Sequence, residues 1–400
     1  MGKVMRRSWL KKLVTARWDT IARGFYEYNI SRHFRTLPPR QLQVNVTYRC
    51  NARCTMCNIW QMEQREELSL EGFSRLLDDP IFAGIERLTL AGGEPSLRHD
   101  LVALTELFMT RMPRLGSLTL VTNGLAVERI LADSRAMLDL CGEREICLNV
   151  SVSLDGVGAV HDKMRNVPGA FARVEQCLMG LKELQQDRPF WLGAACVITR
   201  MNLYHLRELQ AWCAERDIEL GFQLVGFHET YVANVDRQGD LDFSEADREY
   251  LLRFLGDLAV PQSPSDFMAY YWDDMLRMYR SGRTRRTPCP FAVDSFVLDA
   301  YGDIYYCLSE RKIGNCLASA EAGKASSEEE DSVSSAASAQ GPCSAIYYDS
   351  QNLAFRDELT RSACLHCNSG CFVNVGIKKD LKRYLGFLLK TGLGMGRERG

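Results

Sequence analysis

Cys50, Cys54 and Cys57 fall within eight residues of one another as Cys-x3-Cys-x2-Cys. Three thiolates at this spacing can hold three irons of a 4Fe–4S cluster, since thiolate is the usual ligand of such clusters. The fourth iron is then left without a protein ligand. A catalytic metal centre keeps an open position of that kind for its substrate or cofactor. Zinc competes for the same donors, but structural zinc wants a fourth protein ligand, and no His or Cys follows within the next forty residues. Cys141, Cys147, Cys177, Cys196 and Cys213 fall instead within predicted strands or helices, where core packing is the default for a cysteine.

The cysteine loop needs a scaffold, and the surrounding pattern supplies one. Six β-rich runs are predicted as strands: Leu42–Tyr48, Glu86–Ala91, Ser117–Thr122, Ile146–Leu154, Trp191–Ile198 and Ile218–Val225. Amphipathic stretches separate them at Leu70–Asp79, Asp100–Arg111, Ala126–Leu140, Ala170–Gln186 and Leu203–Arg216. Repeated βα units of this kind predict a parallel sheet covered by helices. Six in succession fit an open, incomplete barrel as readily as a doubly wound sheet. The cysteine loop follows the first strand, Gly92-Gly93-Glu94-Pro95 the second, Thr122-Asn123-Gly124 the third and Asp155-Gly156 the fourth. Ligands bind at the C-terminal ends of strands in such folds, so four loops on one rim converge on one site. Any one of them alone reads as an ordinary βα turn.

The rhythm stops after Val225. Ser244–Leu258 reads as a helix and Pro261–Pro264 as a linker. Ala318–Gln340 is rich in Ala, Ser and Glu, with an acidic block at Glu328–Asp331, the composition of a disordered loop. The expected organisation is a basic amphipathic extension over 1–38, a barrel over 39–260, a cysteine-rich domain over 261–376 with a disordered insert over 318–345, and a basic tail over 377–400.

The segment Cys50-Asn51-Ala52-Arg53-Cys54-Thr55-Met56-Cys57 resembles the signature of the radical SAM superfamily. Gly92-Gly93-Glu94-Pro95, Thr122-Asn123-Gly124, Ser153-Leu154-Asp155-Gly156 and His161-Asp162-Lys163-Met164-Arg165 follow in that family's order and spacing. Met56 departs from the aromatic residue more usual there, and an adaptable apolar side chain can pack over a cluster equally well. The resemblance implies a partial (β/α)6 TIM-like barrel and S-adenosylmethionine chelating the open iron. It implies that Gly92, Gly93, Glu94 and Pro95 meet the amino group, with Glu94 supplying negative charge. Ser153 and Arg165 would bind the carboxylate, Asn123 would lie near the ribose and Leu224 near the adenine.

Cys289, twelve residues, Gly302, four residues and Cys307 resemble the opening of the SPASM and twitch auxiliary-cluster domains. Leu298–Tyr306 between them has the alternation and glycine turn of a β-hairpin. Cys364-x2-Cys367 can complete a four-thiolate second 4Fe–4S cluster, with a four-cysteine zinc site as the competing occupant. A full SPASM domain carries seven cysteines, and none follows Cys371 here, which favours the shorter twitch type. Cys371 could replace one of the pair, and Cys316 and Cys343 read as spare thiols.

These implications point to a radical SAM enzyme that abstracts hydrogen from an unactivated C–H bond and oxidises the substrate radical through the auxiliary cluster. A flavodoxin- or ferredoxin-type reductant would supply the first electron. Dehydrogenation of a small-molecule or lipid-linked alcohol is favoured over a peptide-modifying maturase, and the catalytic base is not assigned. A non-catalytic iron–sulfur carrier would have no use for Glu94, Ser153 and Arg165. The net charge of −2 speaks against electrostatically driven nucleic-acid binding. With no run of ~18 apolar residues and no signal-peptide pattern, a cytoplasmic protein is expected. Trp9, Leu10, Leu13, Val14, Ile21 and Phe25 recur among Arg and Lys, as do Leu381, Leu385 and Leu388. Such stretches either dock on the barrel or lie on an anionic membrane.

Overall fold

The computed structural model describes residues 23–263, 265–318, 341–370 and 373–391. Two compact units divide the chain. The larger comprises Pro38–Arg248 and Asp294–Leu359. The smaller comprises Met1–Leu37, Glu249–Val293 and Thr360–Gly400.

All six predicted strands form in the larger unit: β1 (Gln41–Thr47), β2 (Arg87–Gly92), β3 (Ser117–Thr122), β4 (Cys147–Ser153), β5 (Trp191–Ile198) and β6 (Glu219–Leu224). They pair in sequence order, each parallel to the next. The crossovers carry the expected helices at Leu101–Arg111, Val127–Glu143, Ala170–Asp187 and Leu206–Glu215. The stretch predicted over Leu70–Asp79 stops at Leu76, because Asp79 is extended and its carboxylate accepts from the Ile81 amide to start a short 3-10 turn at Pro80.

The chain departs from expectation after residue 294. The hairpin read as the start of a separate cysteine-rich domain is β7 (Ser295–Asp299) followed by β8 (Asp303–Tyr305), and β7 pairs parallel to β1 over Gln41–Asn45. With β9 (Gly314–Asn315) the sheet has nine strands among the described residues, in the order β6-β5-β4-β3-β2-β1-β7-β8-β9. All seven residues of β1 are buried, since this strand is flanked on both sides and covered on both faces. Expected disorder over 318–345 also runs too far. Pro342–Tyr348 is a helix whose Cys343, Ile346 and Tyr347 are buried, and residues 319–340 lie outside the described set.

The smaller unit is helical, with a helix over 23–29 and others at Phe267–Ser281, Val373–Lys379 and Leu381–Thr391. Its core is aromatic: Phe267 meets Tyr384 at 4.7 Å and Tyr270 meets Phe387 at 5.4 Å between ring centroids. The last helix, expected as a basic tail, therefore docks through Tyr384, Phe387 and Leu388, leaving Leu385 and Leu389 exposed. The N-terminal amphipathic stretch falls outside the described residues except for Phe25, which is exposed.

Candidate active site

The cysteine loop leaves the end of β1 and is pinned from several sides. Arg53 and Thr55 amides donate to the carbonyls of Arg165 and Met164 at 3.1 and 2.9 Å. On the opposite flank the Asn58 amide donates to Val232 at 2.8 Å, and Asn234 Nδ2 donates to the Met56 carbonyl at 2.9 Å. Glu67 holds the strand end, accepting from Thr47 Oγ1 and the Tyr48 amide. A loop fixed this way presents its thiols at a set place with little freedom left to lose on loading.

Two side chains reach the sulfurs. Asn123 Nδ2 donates to Cys50 Sγ at 3.9 Å and to Asn51 Oδ1 at 2.7 Å. Arg165 Nη1 donates to Cys54 Sγ at 3.5 Å. Burial first, and then the neighbouring cysteines, push the free thiols of Cys50 and Cys57 up to about 11 and about 12. Among the described residues no three His, Cys, Asp or Glu side chains are gathered as a ready metal-ligand set. The donor chemistry nevertheless fits an iron–sulfur cluster: three soft thiols on one turn, with a guanidinium and an amide beside them to compensate thiolate charge.

Glu94, expected to supply negative charge at the amino group, is braced by the rim loops themselves. It is fully buried, and its carboxylate accepts from the Ser96 amide and hydroxyl, the Thr122 hydroxyl and the Asn123 amide at 3.2, 2.7, 2.8 and 2.7 Å. Glu94 thus ties the β2 loop to the β3 loop and aims Asn123. Gly92 sits at φ +127, and a Cβ there would lie 2.2 Å from the Thr47 carbonyl oxygen, so only glycine lets β2 pass this close to β1. The Gly92 carbonyl accepts from Tyr231 Oη at 2.8 Å. Pro95 opens the buried turn that follows.

Arg165 ends the helix Ala159–Arg165 and is nearly enclosed, forming an ion pair with Asp155 at 2.7 Å. Burial works against charge on the guanidinium, but Asp155 and Cys54 more than reverse it, so Arg165 stays protonated. Asp155 is itself placed by the Val197 amide, which donates to its Oδ1 at 2.9 Å. Burial and then Arg165 push His161 down to about 3, which leaves it neutral, and its Nδ1 accepts from the Asp155 amide at 3.0 Å. Ser153 is the last residue of β4 and pairs with Ala195, while Leu224, the last residue of β6, has a completely buried side chain. Leu224 can therefore offer a ligand its backbone only.

Sequence reasoning missed Asp155 as the partner of Arg165, and missed Glu67, Tyr231 and Asn234. It also missed an aromatic cavity of about 290 Å³ lined by Tyr48, Tyr231 and Tyr305 together with Asn45, Met62 and Lys312. Tyr48 and Tyr305 both donate to Asp299 Oδ2, at 3.0 and 3.1 Å. Of the second cysteine set, Cys289, Cys364 and Cys367 belong to the smaller unit and Cys307 to the larger. In the smaller unit Arg285 Nη1 donates to the carbonyls of Cys367 and Ser369, and the Ser369 amide donates to Cys367 Sγ at 3.3 Å. Cys371 lies outside the described residues.

A family model described as the Radical SAM superfamily matches residues 44–208. This segment belongs to the Radical SAM superfamily. It runs from within β1 to the start of the helix Leu206–Glu215, and so contains the cysteine loop, Glu94, Asn123, Ser153 and Arg165. The GTP 3',8-cyclase of Paracoccus denitrificans is 30% identical over 192 residues, which are 46% of this chain and 52% of that protein. The Pre-heme d1 synthase of Dinoroseobacter shibae is 33% identical over 180 residues, 44% of this chain and 40% of that one. The chain spans about half or less of these relatives. Among solved structures, Streptococcus suis SuiB bound to S-adenosylmethionine aligns with a TM-score of 0.53 and 15% identity, over 87% of this chain and 76% of SuiB. Native anSMEcpe with bound AdoMet aligns with a TM-score of 0.55 and 16% identity, over 88% and 100%. At these identities the likeness to these two structures is one of fold.

Proposed function

We propose that this chain is a radical SAM oxidoreductase acting on a small molecule. Cys50, Cys54 and Cys57 would hold a 4Fe–4S cluster, and the strand-end rim of Gly92, Gly93, Glu94, Pro95, Asn123, Ser153, Arg165 and Leu224 would bind S-adenosylmethionine. When bound, this pair supplies a carbon radical able to take hydrogen from an unactivated C–H bond. The observation that carries the reading is the cysteine loop held at the rim, with Arg165 on one sulfur and Asn123 on another. The chain's own work is orientation and exclusion of water. Glu94 and Glu67 brace the loops, Asp155 keeps Arg165 aligned and charged, and the tyrosine-lined cavity suits a small-molecule substrate by its volume.

By its spacing, the set Cys289, Cys307, Cys364 and Cys367 would hold a second cluster, which supplies an electron acceptor. Alcohol dehydrogenation of a small or lipid-linked molecule is then the favoured net reaction, with a flavodoxin- or ferredoxin-type protein as the external reductant. The test is anaerobic reduction of the full chain in the presence of S-adenosylmethionine. Release of 5′-deoxyadenosine is expected from the native chain and not from the Cys50→Ala/Cys54→Ala/Cys57→Ala variant. No release from protein whose iron content is complete would refute the reading.

A further inference from the structure

We propose that Cys316 and Cys343 form a buried cystine. The two residues, 27 apart in sequence, are both completely buried, and the Cys343 thiol donates to Cys316 Sγ at 2.6 Å. Each is held from a different direction. Cys316 follows β9, and its amide donates to the Gly302 carbonyl at 2.8 Å, while Asn315 Nδ2 donates to Asp303 Oδ1 at 2.7 Å. Cys343 lies in the helix Pro342–Tyr348, which is anchored where Asp79 accepts from the Ser344 amide at 2.8 Å and from the Ser344 hydroxyl. Gly314, beside Cys316, packs so closely on Ile346 that a Cβ would lie 2.8 Å from that side chain.

Two independently anchored thiols in contact are preorganised for a covalent bond. A metal site is the alternative use of such a pair. The acidic side chain beside the pair, Asp79, is already occupied by Ser344 and Ile81 and is not offered as a third ligand. The bond forms by exchange with a small-molecule disulfide such as oxidised glutathione. One protein S–S bond forms, the glutathione S–S bond breaks, two electrons leave the cysteine pair, and the two thiol protons end on two glutathione thiols. Complete burial means that exchange occurs as the chain folds or through local opening, and that the finished bond is shielded from reductant. The product ties the sheet edge at β9 to the helix and closes the chain between residues 316 and 343 into a loop.

The test uses full-length protein made anaerobically, equilibrated with oxidised glutathione, and unfolded in iodoacetamide. Trypsin cuts at Lys324, between the two cysteines. The expected product is peptide 313–324 joined to peptide 325–356, lost on reduction. Recovery of both peptides carrying separate alkyl or glutathione groups, with no joined species, overturns the proposal. As a second readout, reductant present during the thermal scan, where opening exposes the bond, should lower the midpoint of the native chain by about 10 °C. It should leave the Cys316→Ala/Cys343→Ala variant unmoved, and an equal drop in that variant would count against the bond.

Discussion

Replacing Asp155 by Asn tests whether Arg165 depends on its ion partner. The side chain of Asp155 is fully buried and that of Arg165 is 10% exposed, at a separation of 2.7 Å. Asparagine keeps an oxygen for the Val197 amide and removes only the charge. Breaking a buried pair from one side leaves an uncompensated charge and costs about 3–5 kcal/mol. At about 2–4 °C per kcal/mol for a unit of this size, the midpoint should fall by roughly 6–20 °C. Arg165→Met should cost a similar amount by stranding the carboxylate. Asp155→Asn combined with Arg165→Met strands neither, so the double variant should recover about 2 kcal/mol or more relative to the sum of the singles. Urea unfolding of the metal-free protein at pH 7 measures all four. A cost below about 1 kcal/mol for Asp155→Asn, or strict additivity, would refute the argument.

Reconstituted protein should carry about eight irons, falling to about four both in the Cys50/Cys54/Cys57 triple alanine variant and in the Cys289→Ala/Cys307→Ala variant. Only the first should lose S-adenosylmethionine cleavage, and zinc in place of the second set would remove the electron-acceptor role. His161, held near 3 against 6.5 unfolded, is neutral in the fold, so its contribution is complete above pH 6.5 and is lost as pH falls below it. From pH 6.5 to 5 this amounts to about 2 kcal/mol, a slope that His161→Gln should flatten in denaturation series. Gly93→Ala would place a Cβ 2.2 Å from the Arg49 carbonyl oxygen, so iron occupancy should drop although every cysteine is intact. Gly116→Ala, with no atom within 4 Å, is the control expected to keep it. Co-sedimentation with phosphatidylglycerol vesicles should fall several-fold on replacing Leu385 and Leu389, exposed at 56% and 76%, by Ser. No binding by the native chain would exclude a membrane role for this helix.

The six βα units and the cysteine loop were legible because hydrophobic periodicity and thiol spacing are local signals. Helix ends were less so: Asp79 looked like part of an amphipathic run, and only its capping bond to Ile81 shows that the helix has already stopped. Long-range pairings left no local mark. Nothing in Ser295–Asp299 says that it lies beside Gln41–Asn45, and that pairing moved the hairpin into the barrel's sheet. Arg165 was visible as a candidate anion binder, but Asp155 sat inside a glycine turn motif and gave no sign of being its counter-ion. Glu94 was visible as a charge, and the saturation of its carboxylate by four donors was not.

The pairing of β1 with β7 also sets a timetable. Gln41 and its neighbour Asp294 are 253 residues apart, so one edge of the wholly buried β1 has no partner until nearly three-quarters of the chain has been made. At about 5–20 residues per second, that edge waits some 13–50 seconds on the ribosome. Throughout that interval the cysteine loop hangs from a half-finished sheet whose open edge can recruit another nascent chain. Stopping translation short of residue 295 should therefore yield aggregating fragments rather than a smaller working barrel, although the whole matched segment 44–208 would already be present.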